Sequence, residues 1–211
     1  AVVFVVATII GERLELARIP VTAGNPEPLI TGLVLALAAA GILFVAAPEV
    51  GHPLMGLLLV AVAVVTARVD VARRLVRAQG LPRFSAVCML AGYLWLGLAG
   101  LLWVAFPRTT TGFLYDAAVH AVFLGFVISM IFAHAPIILT AVIRRPLPYH
   151  PVMYVPVALL HGGLALRLLG DAREAVPLWQ AGGVINVLAV LTFLLTGVTL
   201  SVRASRRRAR R

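Results

Sequence analysis

Five histidines carry most of the chemistry this sequence can offer: His52, His120, His134, His150 and His161. Imidazole titrates near neutral pH and ligates haem iron and copper. His120 and His134 lie 14 residues apart in one apolar run. On a continuous α-helix that is about 21 Å of axis, and steps of ~100° leave the two only ~40° apart around it. Asp116 stands one turn before His120 on the same stripe, placed as a carboxylate that orients the ring. His134 precedes Arg144 by ten residues and His161 follows His150 by eleven. Both therefore sit about 15–16 Å deep, on helices joined by the short turn Arg144-Arg145-Pro146-Leu147-Pro148-Tyr149. Two imidazoles at matching depth on antiparallel neighbours form an inner pair suited to axial ligation of haem b, or to copper. His52 and His120 make a weaker outer pair.

Each of these residues also has a plainer reading. Histidines in membranes hydrogen-bond across helices without binding any metal. His150 sits in a Pro-rich loop and reads as an exposed loop residue. Arg167, near the far end of the sixth apolar segment, either snorkels to the surface or pairs with Asp116 or a haem propionate. Gly162 and Gly163 beside His161 admit a close helix or a flat cofactor. Glu12, Arg13 and Glu15 form either an interfacial charge network or a proton entry point. Trp95, Trp103 and Trp179 read as interfacial belt residues. Cys88, the one cysteine of the chain, lies in an apolar run and excludes an intrachain disulfide.

The elements that hold these residues are dictated by composition. The chain has 211 residues, of which 62% are apolar and 12% charged, with mean hydropathy +1.03. A soluble domain is about 25% charged and needs a polar exterior that this chain lacks. The apolar residues come in long runs without alternation, which disfavours a β-barrel. Pro, Gly and Arg punctuation divides the runs into seven helical segments, roughly 1–11, 28–47, 53–72, 85–106, 113–143, 151–169 and 177–202. The expected fold is an all-α polytopic transmembrane bundle of about seven spans, a single integral membrane domain over 1–211 with a basic tail from about 203. The first segment falls short of the ~20 residues a span requires and reads as the remnant of a longer helix. It has neither the basic start nor the small-residue cleavage site of a signal peptide.

All 18 basic residues are arginine, and the net charge is +10. Fifteen of them fall after the first, third and fifth segments or in the tail, and with four acids they give that side a net +11. Arg108, Arg167 and Arg173 belong to the other side, whose net charge is −1. The positive-inside rule then predicts a cytoplasmic C-terminus, in a bacterial inner membrane. The tail attracts anionic lipid. Without interleaved aromatics it does not read as a nucleic-acid site, and none is expected as a partner.

The run His120-Ala-Val-Phe-Leu-Gly-Phe-Val-Ile-Ser-Met-Ile-Phe-Ala-His134, the Arg144-Arg145-Pro146-Leu147 turn and Leu166-Arg167-Leu-Leu-Gly170 resemble the C-terminal helices of the NnrS-type family. These are polytopic haem- and copper-containing membrane proteins associated with nitric-oxide metabolism. The resemblance spans about Asp116 to Leu200 and implies His120 as a metal or haem ligand, with His134 matched less closely. The spacing of His120 and His134 is also similar to that in dihaem b-type cytochromes, although no second helix here carries an equally spaced pair.

The leading expectation is thus a haem- or copper-binding membrane protein with a redox or nitric-oxide-related role. His134 and His161 would serve one site, and His120 with His52 another. Asp116 and Arg167 would support them. The alternative is a non-catalytic membrane subunit or anchor of a larger respiratory-type complex, with structural histidines and with partner subunits or a second copy alongside. A small-solute transporter broken near Pro136 and Pro156 is a third reading, without the paired repeats such proteins show. P-loop, Rossmann, nucleophile-elbow and HExxH patterns are absent from the sequence, which gives hydrolase and ATPase readings no support.

Overall fold

A computed structural model describes residues 1–17, 26–107, 110–143 and 147–209. Arg18, Arg108, Arg144, Arg145, Arg210 and Arg211 lie outside the described residues, as do the side chains of Glu15, Arg207 and Arg208. Among the described residues every regular element is helical. In chain order these are α1 (Val2–Ala17), α2 (Glu27–Ala46), α3 (Pro48–Val69), the single turn α4 (Ala72–Leu75), α5 (Leu81–Ala105) and α6 (Gly112–His120). A π-helical segment (Ala121–Ile128) leads into α7 (Ser129–Ile143). A 3-10 turn (Pro151–Met153) leads into α8 (Tyr154–Ala172), and α9 (Val176–Ala209) closes the chain.

Proline sets several of these starts. Pro28, Pro48, Pro82 and Pro151 each occupy the first or second position of their helix, where a missing N–H costs nothing. Among the described residues six helices are long and apolar enough to cross a membrane: Glu27–Ala46, Pro48–Val69, Leu81–Ala105, Gly112–Thr140, Pro151–Ala172 and Val176–Arg206. The protein is an all-α polytopic helical bundle. The first expected segment does form a helix, but α1 has 16 residues and is too short to count with the others.

α3 and α5 cross at a point bare of side chains. A Cβ on Gly56 would meet the Gly100 carbonyl oxygen at 2.6 Å, and one on Gly100 would meet that of Gly56 at 2.5 Å. Small residues facing each other let backbones touch, the usual way helices associate where lipid offers no hydrophobic drive. α5 is the central element, packed against α3, α7, the π-helical segment and α6. α8 lies along α9 and also packs against α6 and the π-helical segment. The fifth expected segment is one continuous crossing, 112–143, but its middle is not α-helical. Bonds from i to i+5 turn each residue through less than the ~100° of an α-helix. The ~40° offset expected between His120 and His134 on a continuous α-helix therefore does not apply.

Candidate functional site

Two buried polar clusters stand at opposite ends of the bundle. The first gathers at the end where α1 and α3 finish. Arg13 donates from Nη2 to Asp70 Oδ1 at 2.9 Å and from Nε to Oδ2 at 3.1 Å, a two-pronged ion pair with both side chains under 10% exposed. The Tyr93 hydroxyl, on α5, donates to Asp70 Oδ2 at 2.6 Å, and the Ala72 amide donates to Oδ1 at 2.9 Å, which ties the start of α4 to the same carboxylate. Burial by itself pushes the Asp70 carboxyl up. The hydrogen bonds and charge of Arg13, then the bonds from Tyr93 and Ala72, outweigh it and hold the carboxyl below the usual range.

His134 joins this cluster. Its Nδ1 lies 2.7 Å from the Met130 carbonyl oxygen, which can only accept, so Nδ1 carries the proton. Its Nε2, 3.1 Å from Arg13 Nη1, therefore accepts. His161 is elsewhere, against α5: Trp95 donates from Nε1 to His161 Nδ1 at 2.9 Å, and the two rings stack with 15° between their planes. A neutral imidazole has one proton, so His161 carries it on Nε2, which is buried without a partner.

The inner pair thus has no spare electron pair on either ring. Arg13 takes that of His134 and Trp95 takes that of His161, so the donor set does not fit a bis-imidazole haem or copper site. α8 also packs mainly on α9, α6 and the π-helical segment rather than on α7. The outer pair is divided as well. His52 is fully buried, gives Nδ1–H to the Pro48 carbonyl at 2.7 Å and has its ring 3.9 Å from that of Phe44. It lies on α3, which packs on α2 and α5, whereas His120 lies on α6, which packs on α8 and α5. His150 is exposed and accepts from the Val152 amide at 3.2 Å, capping the 3-10 turn. No group of three or more His, Cys, Asp and Glu is arranged to hold a metal among the described residues.

The second cluster is at the opposite end, on α6, α8 and α9. Asp116 Oδ2 accepts three bonds: from Arg167 Nη2 at 2.7 Å, from Arg167 Nε at 3.0 Å and from Trp179 Nε1 at 2.9 Å. The guanidinium also lies 4.6 Å from the centre of the Trp179 ring, a cation–π contact. His120 Nδ1 is 2.9 Å from the Asp116 carbonyl oxygen and 3.2 Å from Asp116 Oδ1. Glycine makes the room. A Cβ on Gly182 would meet the Arg167 backbone at 2.5 Å, and one on Gly183 would meet Arg167 Nη1 at 2.9 Å. Of the two readings of Arg167, pairing with Asp116 is the one realised.

The tryptophans are not simple belt residues: Trp95 and Trp179 hydrogen-bond inside the bundle, and Trp103 is 3% exposed. Gly163 lies against Ile185 and Asn186 of α9, while Gly162 faces open space. Cys88 is buried. Sequence reasoning missed Asp70, Tyr93 and Asp171 as site residues. A signal existed for Asp171, an acid four residues after the lone arginine of its span.

This arrangement defines a polytopic helical membrane protein with a buried ion pair at one end and a partly buried one at the other. Over residues 1–202 the chain matches the family model described as a domain of unknown function, DUF8744, and it belongs to that family. No curated protein and no solved structure matches it.

Proposed function

We propose that this protein is a non-catalytic membrane subunit that works through lateral partners in a larger, respiratory-type assembly, its histidines serving as interhelical hydrogen-bonders. The observation that carries this reading is the commitment of both inner lone pairs to protein donors, His134 to Arg13 and His161 to Trp95. α2 and α9 are the least buried spans and offer the surface for such partners. The Arg-rich end faces the cytoplasm of a bacterial inner membrane, on the strength of its 15 arginines.

The test is an absorption spectrum with metal analysis of the purified protein, repeated on His134→Ala and His161→Ala. The expected result is a colourless, metal-free preparation whose variants lose thermal stability and partner retention. A Soret band that disappears in either variant overturns it. A redox-metal or nitric-oxide-linked role rests on the outer residues: the buried Nε2 of His52 has no hydrogen-bond partner, and the resemblance to NnrS-type proteins implies His120. Its Nδ1–H is pinned to the Asp116 carbonyl, so Nε2 has a free lone pair. Stoichiometric copper or haem lost in His120→Ala would favour that second reading.

A further inference from the structure

Asp171 is the anomaly of the second cluster. The residue is 2% exposed, and neither carboxylate oxygen has a hydrogen-bond partner. Arg167 stands one turn earlier on the same face of α8, the spacing at which an arginine and an acid pair readily. It nevertheless gives both its Nε and its Nη2 to Asp116. Among the described residues the cluster holds two carboxylates and one guanidinium, and is one positive charge short.

Among the described residues the neighbours do not supply that charge. α6 contributes Asp116, whose other oxygen meets His120. α9 contributes Trp179, Gly182 and Gly183 at this level, and the π-helical segment has no titratable residue. The turn after Asp171 carries Arg173 and Glu174, both exposed. α8 and α9 touch here with no gap, since a Cβ on Gly170 would meet the Trp179 backbone nitrogen at 2.4 Å. A buried, unpaired ionised carboxylate beside a second one is strongly disfavoured, and neutralising it is the ordinary remedy.

We propose that Asp171 is a proton-binding site and that its proton selects the partner of Arg167. With the proton on Asp171, Arg167 holds Asp116, as seen here. When the proton leaves to water, the new carboxylate draws the guanidinium one turn along α8 and releases Asp116. The way out runs past Asp116 and His120, whose side chains are 26% and 30% exposed. Trp179 reports the exchange, because it stacks with Arg167 and bonds Asp116. This site goes beyond the subunit reading and stands whether or not that reading holds.

The experiment is an infrared and tryptophan-fluorescence pH titration of the full chain in liposomes. It is read above about pH 5, where exposed carboxyls are ionised. Wild type is expected to show the carbonyl band of a protonated carboxylic acid, which vanishes as pH rises, with tryptophan emission shifting over the same range. Asp171→Asn should abolish both. Asp116→Asn should abolish the band too, although Asp171 is intact, because the freed Arg167 then pairs with it. A band surviving in either variant, or no band in wild type, overturns the proposal. So does loss of the wild-type band on adding sodium at constant pH, which would make the occupant a metal cation.

Discussion

A buried ion pair is costly to form and more costly to halve, and the Arg13–Asp70 pair is of that kind. Removing one partner of such a pair typically costs about 3–5 kcal/mol, whereas an apolar replacement of both is near neutral. Arg13→Met or Asp70→Leu alone should therefore destabilise by about that much, and the double variant should recover most of the loss. Unfolding midpoints in detergent measure all three, and additive costs would show that the two do not interact. The acid limb follows from the same contact. The native Asp70 carboxyl titrates below its unfolded counterpart, which lies at about 3.9. Its contribution is thus complete above about pH 4 and is lost as pH falls through the native value. Asp70→Asn should flatten that part of a stability–pH curve; an unchanged acid limb would count against the network. The histidines themselves were legible in the sequence. The partners were not, because Arg13, Asp70 and Tyr93 come from three separate elements that no local pattern connects. Asp70 looked like one more charge in an arginine-rich loop.

At the scale of elements, the seven apolar runs foretold the helices well, since lipid forces every span to be long, apolar and internally bonded. What the runs concealed was the register inside the fifth one. A π-helical stretch has no distinctive composition; here it coincides with Gly125, where a Cβ would fall 2.4 Å from Trp95 Cβ. The backbone of this segment closes on the indole that holds His161. Gly125→Ala must move Trp95 or the helix, and overpacking of this sort costs about 1–3 kcal/mol. Gly162→Ala is the contrasting change. Nothing lies within 4 Å of its Cβ position, and alanine in a helix is favoured over glycine by about 0.5–1 kcal/mol. The first should lower the thermal midpoint and alter tryptophan emission, and the second should hold or raise it. The reverse order would mean that the π-helical segment is not where it is described.

For the whole molecule, the distribution of charge sets the proposed orientation, and the two clusters are placed against it. The Arg13–Asp70 cluster lies at the end where α3 gives way to the arginine-bearing stretch before α5, and Asp116 and Asp171 lie at the end with few arginines. The proposed orientation rests on the positive-inside rule: carrying arginines across the bilayer is costly, so an arginine-rich side is expected to stay in the cytoplasm. In the proposed orientation the unpartnered carboxylate lies toward the outside, the side from which an energised membrane offers protons. Labelling decides the matter. Cys88 is buried and should be inert to a maleimide, so a Cys88→Ala background is a safe blank. On it, Glu174→Cys, in the turn between α8 and α9, should react with an impermeant maleimide in intact cells. Ser205→Cys, near the end of α9, should react only after permeabilisation. If the two exchange behaviour, the bundle is inverted, and the Asp171 site would answer to cytoplasmic pH instead.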